Sequence, residues 1–381
     1  MAKLSGRLQQ LRELRGQREE KIPAEEQRGI FPERNQPPWL LENWKQTETC
    51  VWQRSVELAL ERREIKLSGI LLGGFRRLLE LTFYDFETTG LSGGAGTLIF
   101  LAGFGVLEGE KLRVEQILLT DYPGEAAFLE RMRPFLDENK LFVSYNGKSF
   151  DRNILLNRMR MRGLREGMPR QLDLLYPARR LWSRVLEGCG LQQIERSVLG
   201  IERNGDIGGA LIPLCYQEFL RGKGGTCMQS VVEHHLRDIL SLAELLFFIE
   251  AMPEDSGSFR FREEKTGIGS ILLGRGDPRA IAYLEEALLE GDERAGRYLT
   301  GYYKREKRSE DLERVLERML GIRAGFFQVT EMAKFLEHQR KEPVLALELL
   351  SSFPQPKARL TSCQYENLCR RRKRLRKKTE L

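Results

Sequence analysis

The sequence predicts an α/β protein: a mixed sheet flanked by helices, followed by an all-α region. Three observations carry this. Short apolar runs between residues 81 and 146 alternate with segments of helical period. A helix-period stretch at 230–250 closes that part of the chain. From Asp277 to Leu350 the pattern is helical throughout.

Residues 1–30 alternate Leu with Lys, Arg, Glu and Gln, and Leu4, Leu8, Leu11 and Leu14 recur at helical spacing. Residues 31–48 contain Pro32, Pro37 and Pro38 and read as a linker. Residues 50–80 are mixed and broken by Gly69, Gly73 and Gly74, so 1–78 is taken as an N-terminal helical and linker region. From residue 81, LTFYDF is a nearly continuous apolar run, as in a buried strand. TLIFLAGFGVL (97–107) and KLRVEQILLT (111–120), separated by EGE, continue a three-strand meander. EAAFLERMRPFLDEN (125–139) is an amphipathic helix, LFVSYN (141–146) a fourth strand, and FDRNILLNRMRMRG the helix after it. QLDLLYPARRLW (171–182) begins as a strand and runs into a helix, and SVVEHHLRDILSLAELLFFIE (230–250) is a helix. The order βββαβα over 79–251, a mixed sheet with helices, fits a ribonuclease-H-like architecture. Residues 252–275 are poor in apolar side chains and read as a linker to helices over 276–360. There Ala287, Ala295 and Ala346 lie between large apolar residues, as in tetratricopeptide-type helix pairs; a plain helical bundle is the alternative.

A chain of 381 residues suits two or three domains, and 41% hydrophobic with 31% charged residues is ordinary for a globular protein. The most apolar stretch, Leu240–Ile249, is interrupted by Glu244 and is too short for a bilayer. The charged first 20 residues do not read as a signal peptide, so no membrane partner and a cytoplasmic location are expected. The six cysteines, at 50, 189, 215, 227, 363 and 369, form no CxxC pair, which excludes a zinc ribbon and favours free thiols. The basic tail, 361–381, ends in RRRKRLRKKTEL, whose eight bases and one acid equal the whole net charge of +7. Such a run favours polyanions, or is a solvated helix end.

Asp85 and Glu87 stand two apart at the end of the first buried strand, so their carboxylates share one face. Two such acids repel each other and are costly to desolvate, a penalty that a divalent cation removes. All-oxygen ligands suit Mg²⁺ or Mn²⁺ rather than Zn²⁺. Asp151, in NGKSFD after the fourth strand, places a third carboxylate at a helix entrance, where it could also serve as a cap. His234 and Asp238 are four apart on the 230–250 helix and share a face.

These segments, FYDFETTGL, SYNGKSFD and HHLRD, resemble the three motifs of DEDD-superfamily 3′–5′ exonucleases. The wider run, from ETTGLSGGAGTLIFLAGFG through DLLYPARRLW and ERSVLGIERNGDIGGALIP to VVEHHLRDILSLAELL, is similar to the YprB-type ribonuclease-H-like family of bacteria. The resemblance implies that Asp85, Glu87, Asp151 and Asp238 hold two Mg²⁺ or Mn²⁺ ions and that His234 is the general base. It departs from the best-known histidine subclass, whose His lies five residues before the last Asp. Here His234 lies four before Asp238, the spacing of the tyrosine subclass, and His235 three before. The implied activity is 3′–5′ exonucleolytic hydrolysis of nucleic acid, DNA favoured over RNA, in repair beside a helicase partner. An RNA-processing exoribonuclease, a non-catalytic nucleic-acid scaffold and an endonuclease are the rival readings.

Nine arginines between 152 and 184, against two acids, read as a phosphate track of which Arg152, Arg158, Arg179 and Arg180 are the main candidates. Thr88 and Thr89, in a turn after the carboxylates, could hold a terminal nucleotide, Asn146 and Lys148 are further candidate nucleic-acid contacts, and Tyr145, Phe86 and Leu91 could stack on a base or belong to the core. Asp173 reads as a supporting or capping residue and His338 as structural. Gly147-Lys148-Ser149 imitates the end of a P-loop, but Phe142 stands where that motif needs Gly, and Gly103-Phe104-Gly105 lacks a third glycine. The chain therefore shows no nucleotide-driven motor.

Overall fold

In a computed structural model the described residues are 38–60, 67–73, 80–90, 96–164, 167, 169–223, 225–253, 259–353 and 360–380. The helix expected at 1–30, Leu91, most of the turn at 90–96 and Arg165 lie outside them. Residues up to Leu41 form a separate unit, whose described part is the short helix Pro38–Leu41.

In the unit from Glu42 onward, the described residues form one sheet of seven strands. They are β1 (Lys45–Glu48), β2 (Val51–Ala59), β3 (Leu81–Thr88), β4 (Ile99–Glu108), β5 (Lys111–Leu119), β6 (Leu141–Ser144) and β7 (Arg170–Asp173). Their order is β1-β2-β5-β4-β3-β6-β7. The first five in that order are antiparallel neighbours, and β3-β6-β7 are parallel. The mixed sheet follows from the connections, since tight turns join antiparallel strands and helical crossovers join parallel ones. β1 and β2 extend the sheet into the expected N-terminal linker region. The sequence hid β2 because Arg54 interrupts the face of Trp52, Val56 and Leu58, and Glu57 lies on the exposed face. It nonetheless pairs with β5 along its whole length, Val51 opposite Leu119 and Ala59 opposite Lys111.

Helices follow in chain order: α1 (Glu125–Met132), α2 (Asp151–Met161), α3 (Leu175–Trp182), α4 (Ile212–Leu220) and α5 (Gly225–Ala251). The long α5 lies across β3, β4 and β5, burying Ile239, Leu242, Leu246 and Phe247 with Phe83 and Val114. Cys215 of α4 and Cys227 of α5 are disulfide-bonded, their Cα atoms 5.6 Å apart, where free thiols were expected. The turn between the helices folds α4 onto α5 and brings the pair within reach.

The expected linker at 252–275 contains a helix, α6 (Glu263–Gly274). Its Ile268, Ile271 and Leu272 join the core of the sheet domain, and Glu264 accepts a hydrogen bond from Trp182 Nε1 at 2.5 Å. Its small residues, Gly267, Gly269 and Ser270, look like a linker but allow close helix packing: a β-carbon at 267 would lie 2.7 Å from Leu181. There follow α7 (Arg279–Leu289), α8 (Glu293–Arg305), α9 (Ser309–Ile322), α10 (Phe326–Phe335), α11 (Pro343–Ser352) and α12 (Ser362–Thr379). Each packs on the next, around Leu284, Leu299 and Leu316 and then around Val329, Ala346 and Leu350. The expected basic tail is thus largely a packed helix, α12, with Leu368 and Leu375 buried. No helix among the described residues is long and apolar enough to cross a membrane.

Candidate active site

Asp85, Glu87, Asp151, His234 and Asp238 line one open cavity of about 260 Å³, beside Phe86, Tyr145 and Asn146. They arrive from three elements: the end of β3, the first residue of α2, and the middle of α5. In β3, Asp85 pairs with Gly103 and Glu87 with Leu101. The ladder then slips, so that Thr88 pairs with Ile99 rather than Phe100. A slip of this kind turns a strand end locally, here where both carboxylates face the cavity.

Two buried side chains set the rest of the frame. Asp173, at the end of β7, accepts hydrogen bonds from the backbone N–H of Asn146 (2.8 Å), Lys148 (3.2 Å) and Leu175 (3.0 Å). It clamps the loop that leads into Asp151, in which Asn146 has φ 64°. Gly147 has no room for a side chain, because a β-carbon would fall 2.6 Å from Ser144 Oγ and 2.8 Å from the Tyr84 hydroxyl. His235, with 0% exposure, fixes α5 against the sheet. Its Nε2–H donates to the Asp85 carbonyl at 2.9 Å, and its Nδ1 accepts from Gln116 at 2.7 Å. Burial pushes His235 down to about 3, so it stays neutral. A β-carbon on Gly103 would lie 2.3 Å from the His235 ring, which explains a glycine in mid-strand.

Four carboxyl groups crowd the cavity. Burial first, then the neighbouring carboxylates, push Asp85 and Glu87 well above the usual carboxylate range. Burial and Asp173 raise Asp151 to about 7. Asp238 is raised by burial, against the opposing pull of His234 and Arg203.

The loop after Gly200 supplies two residues that sequence reasoning missed. The Arg203 guanidinium, 6% exposed, bonds Asp238 Oδ1 at 2.5 Å, reaches Asp206 Oδ2 at 3.1 Å and pairs with buried Glu195. Asp206 holds His234 Nδ1 at 2.9 Å, while His234 Nε2 lies 3.4 Å from Asp238 Oδ2. Burial pushes Asp206 up, but His234 and Arg203 outweigh it and hold the carboxyl below its ordinary value. Arg203 Nη1 lies 3.3 Å from the same Nδ1, so the His234 ring is held between Asp206 and Arg203 on one side and Asp238 on the other.

Among the described residues, no three His, Cys, Asp or Glu side chains are already drawn together as a metal cluster. The donors nevertheless fit a hard divalent cation. Four carboxyl groups line one cavity, burial opposes the ionisation of each, and Arg203 is bonded to one of them.

The expected substrate contacts divide. Asn146 and Lys148 are exposed beside the cavity, and Arg152 is partly buried one residue after Asp151. Arg179 stays exposed, and its charge is felt by Tyr145 on the cavity wall. Thr88 is buried on that wall with its hydroxyl donating to the Gly90 carbonyl at 2.8 Å. Arg158 is not a track residue: it is buried and bonds Glu125 at 2.5 Å. Arg180 is turned toward α6, donating to the Ser270 carbonyl at 3.3 Å. Phe86 is a core residue that also reaches the cavity, packed against Tyr84 and Phe104 with ring centres at 5.2 and 5.8 Å.

A family model described as the RNase_H superfamily matches residues 82–248, from the second residue of β3 to near the end of α5. The uncharacterized protein YprB of Bacillus subtilis (strain 168) is 31% identical over 311 residues, which cover 78% of this chain and 75% of that protein. A ribonuclease-H-like domain supports a nuclease, and hence a nucleic-acid substrate. With this sheet, this cavity and a match along three quarters of that relative, the chain belongs to the YprB family and carries a domain of the ribonuclease H superfamily.

Proposed function

We propose that the protein is a divalent-metal-dependent 3′–5′ exonuclease, acting on DNA in a repair setting beside a helicase partner. The observation that carries the catalytic part is the meeting of Asp85, Glu87, Asp151, Asp238 and His234 at one cavity, from segments more than 150 residues apart in the chain. The polarity, the repair setting and the helicase rest on the resemblance of the three motifs to DEDD exonucleases and of the whole run to the YprB type. The helices α7 to α11, read as tetratricopeptide-like pairs, would offer the partner its docking surface.

The four carboxylates are the residues that would hold a pair of Mg²⁺ or Mn²⁺ ions. Bound there, such ions neutralise phosphate charge and make water easier to deprotonate. The chain's own groups supply the rest. His234, with Nδ1 committed to Asp206, presents Nε2 to accept a proton from a water in the cavity. Arg203 holds Asp238 in place from the far side. Tyr145, whose hydroxyl donates to the Cys189 carbonyl at 2.6 Å, presents a fixed ring at the cavity wall for a terminal base.

The test is a time course on end-labelled DNA and RNA of matched sequence, single- and double-stranded, with Mg²⁺, Mn²⁺ or EDTA. The expected result is a ladder of products shortened from the 3′ end of DNA, with metal only. Equal or faster digestion of RNA favours the exoribonuclease reading, and cutting of a substrate with a blocked 3′ end favours an endonuclease. No cleavage under any condition overturns the enzymatic reading.

A further inference from the structure

The bases of the C-terminal helix fall into two sets. α12 starts at a capping box, in which the Thr361 side chain accepts from Gln364 N–H and the Gln364 side chain accepts from Thr361 N–H. It buries Leu368 and Leu375, seven residues apart, against Ala346 and Leu350 of α11. Beside that stripe Arg371, Arg374 and Lys378 all reach Glu337, whose side chain has 0% exposure; Arg371 lies at 3.0 Å and Lys378 at 2.8 Å. A neighbouring acid, Glu331, is shared by Lys304 of α8 and Lys334 of α10. The two sets adjoin: burial and the charge of Arg371 both lower Lys334. Five cations thus share two carboxylates. On the solvent side Arg370, Lys373, Arg376 and Lys377 are exposed, and among the described residues none of the four has a carboxylate partner.

We propose that this face, formed by α12 with Lys304 and Lys334 behind it, is a second nucleic-acid contact that grips the sugar–phosphate backbone. The inference rests on the reading of the chain as a nuclease for its choice of polyanion. The fold already uses the inward bases, whereas the outward four have no carboxylate partner among the described residues and repel one another. Their spacing along one rigid helix presents a row of cations to a row of phosphates. The apolar stripe of α12 is fully used in packing, and none of its own large apolar residues is exposed, which disfavours insertion into a lipid surface. The exposed apolar residues Val344 and Leu345 lie on α11, and the row of four bases itself carries no apolar centre of the kind an acidic protein's interface would use.

The test uses the full chain carrying Asp85→Asn, so that binding is read without cleavage. Fluorescence anisotropy with labelled duplex and single-stranded DNA is followed over a range of salt. The comparison protein adds Arg370→Gln, Lys373→Gln, Arg376→Gln and Lys377→Gln, four exposed changes whose folding is checked by an unchanged melting temperature. The expected result is at least a roughly tenfold loss of affinity and a salt slope smaller by about 3 for duplex. Arg370→Lys with Arg376→Lys keeps the charge and is expected to keep affinity. Unchanged affinity and slope in the glutamine variant overturn the proposal. So does a loss confined to anionic vesicles of phosphatidylserine and phosphatidylcholine, with DNA binding intact. If the chain with Asp85 intact never cleaves, while the glutamine variant loses DNA binding, this surface stands and the catalytic reading falls instead.

Discussion

Two parts of this molecule gather like charges and hold them in opposite ways. At the cavity of the sheet domain the crowd is acidic, and one buried cation, Arg203, sits among Glu195, Asp206 and Asp238. At the C-terminal helix the crowd is basic, and one buried anion, Glu337, sits among Arg371, Arg374 and Lys378. Each cluster is folded by a single opposite charge placed where water does not reach. The difference lies in what remains. The acids left over face inward to a cavity that a small ion can enter, while the bases left over face outward to solvent. The first arrangement suits chemistry and the second suits grip.

The largest effect is expected at the acids. Asp85→Asn or Asp238→Asn should lower nucleic-acid cleavage by on the order of 10⁴ or more while the fold survives, as read by single-turnover digestion and circular dichroism. Cleavage near the wild-type rate in either variant breaks the functional half of the comparison. Next comes Asp206→Asn, which removes the carboxylate that orients His234. We expect kcat to fall by about 10²–10⁴ with little change in substrate binding. An equal loss in both would make Asp206 a substrate contact instead.

Arg203→Met tests the buried cation itself. Without divalent ions it should destabilise the domain by about 3 kcal/mol, because Glu195 and Asp238 lose their partner. Mn²⁺ should then raise the melting temperature more in the variant than in the wild type, since Asp238 no longer has a competing cation. Glu337→Gln is the matching change at the basic cluster. Three of its four partners, His338, Arg374 and Lys378, are about half exposed, which screens the loss to about 2 kcal/mol, measured by denaturant unfolding.

The two clusters should also answer pH with opposite sign. Asp151 is raised to about 7 from an ordinary 3.8, so its contribution to stability is full at low pH and is lost as pH rises through about 7. Burial pulls Glu337 up, but Lys378 and Arg374 hold it below its ordinary 4.5. Its contribution is full above that value and is lost as pH falls through the lower folded one. Metal-free melting between pH 3 and 8 should therefore decline at both ends, and Asp151→Asn should flatten only the upper limb. A limb that is unaffected by this change assigns the loss to other groups.

Sequence patterning reached the site where regular structure carries it. Asp85 and Glu87 are legible because a strand repeats every two residues, and His234 with Asp238 because a helix brings every fourth residue to one face. Arg203 and Asp206 have no such period: they lie in an irregular loop, and an arginine in a charged-looking run gives no sign that it is buried. The same limit hid β2, whose exposed face carries charges, and α6, whose glycines permit close packing yet resemble a linker. It also misassigned Arg158 and Arg180, since a run of arginines does not reveal which ones meet Glu125 or the Ser270 carbonyl. The bases of α12 were countable in sequence, but their division into two faces depends on Glu337, which comes from a different helix turn.

The glycine opposite Asp85 has a consequence beyond its own strand. It sets the clearance between the long helix and the sheet, because the Ile239 side chain and the His235 ring together fill the space that a side chain at 103 would take. A single methyl group there would lever the helix outward and carry His234 and Asp238 away from Asp85 and Glu87, although it touches none of the four. The catalytic reach of this fold is thus gauged by an atom that is missing, one layer beneath the chemistry.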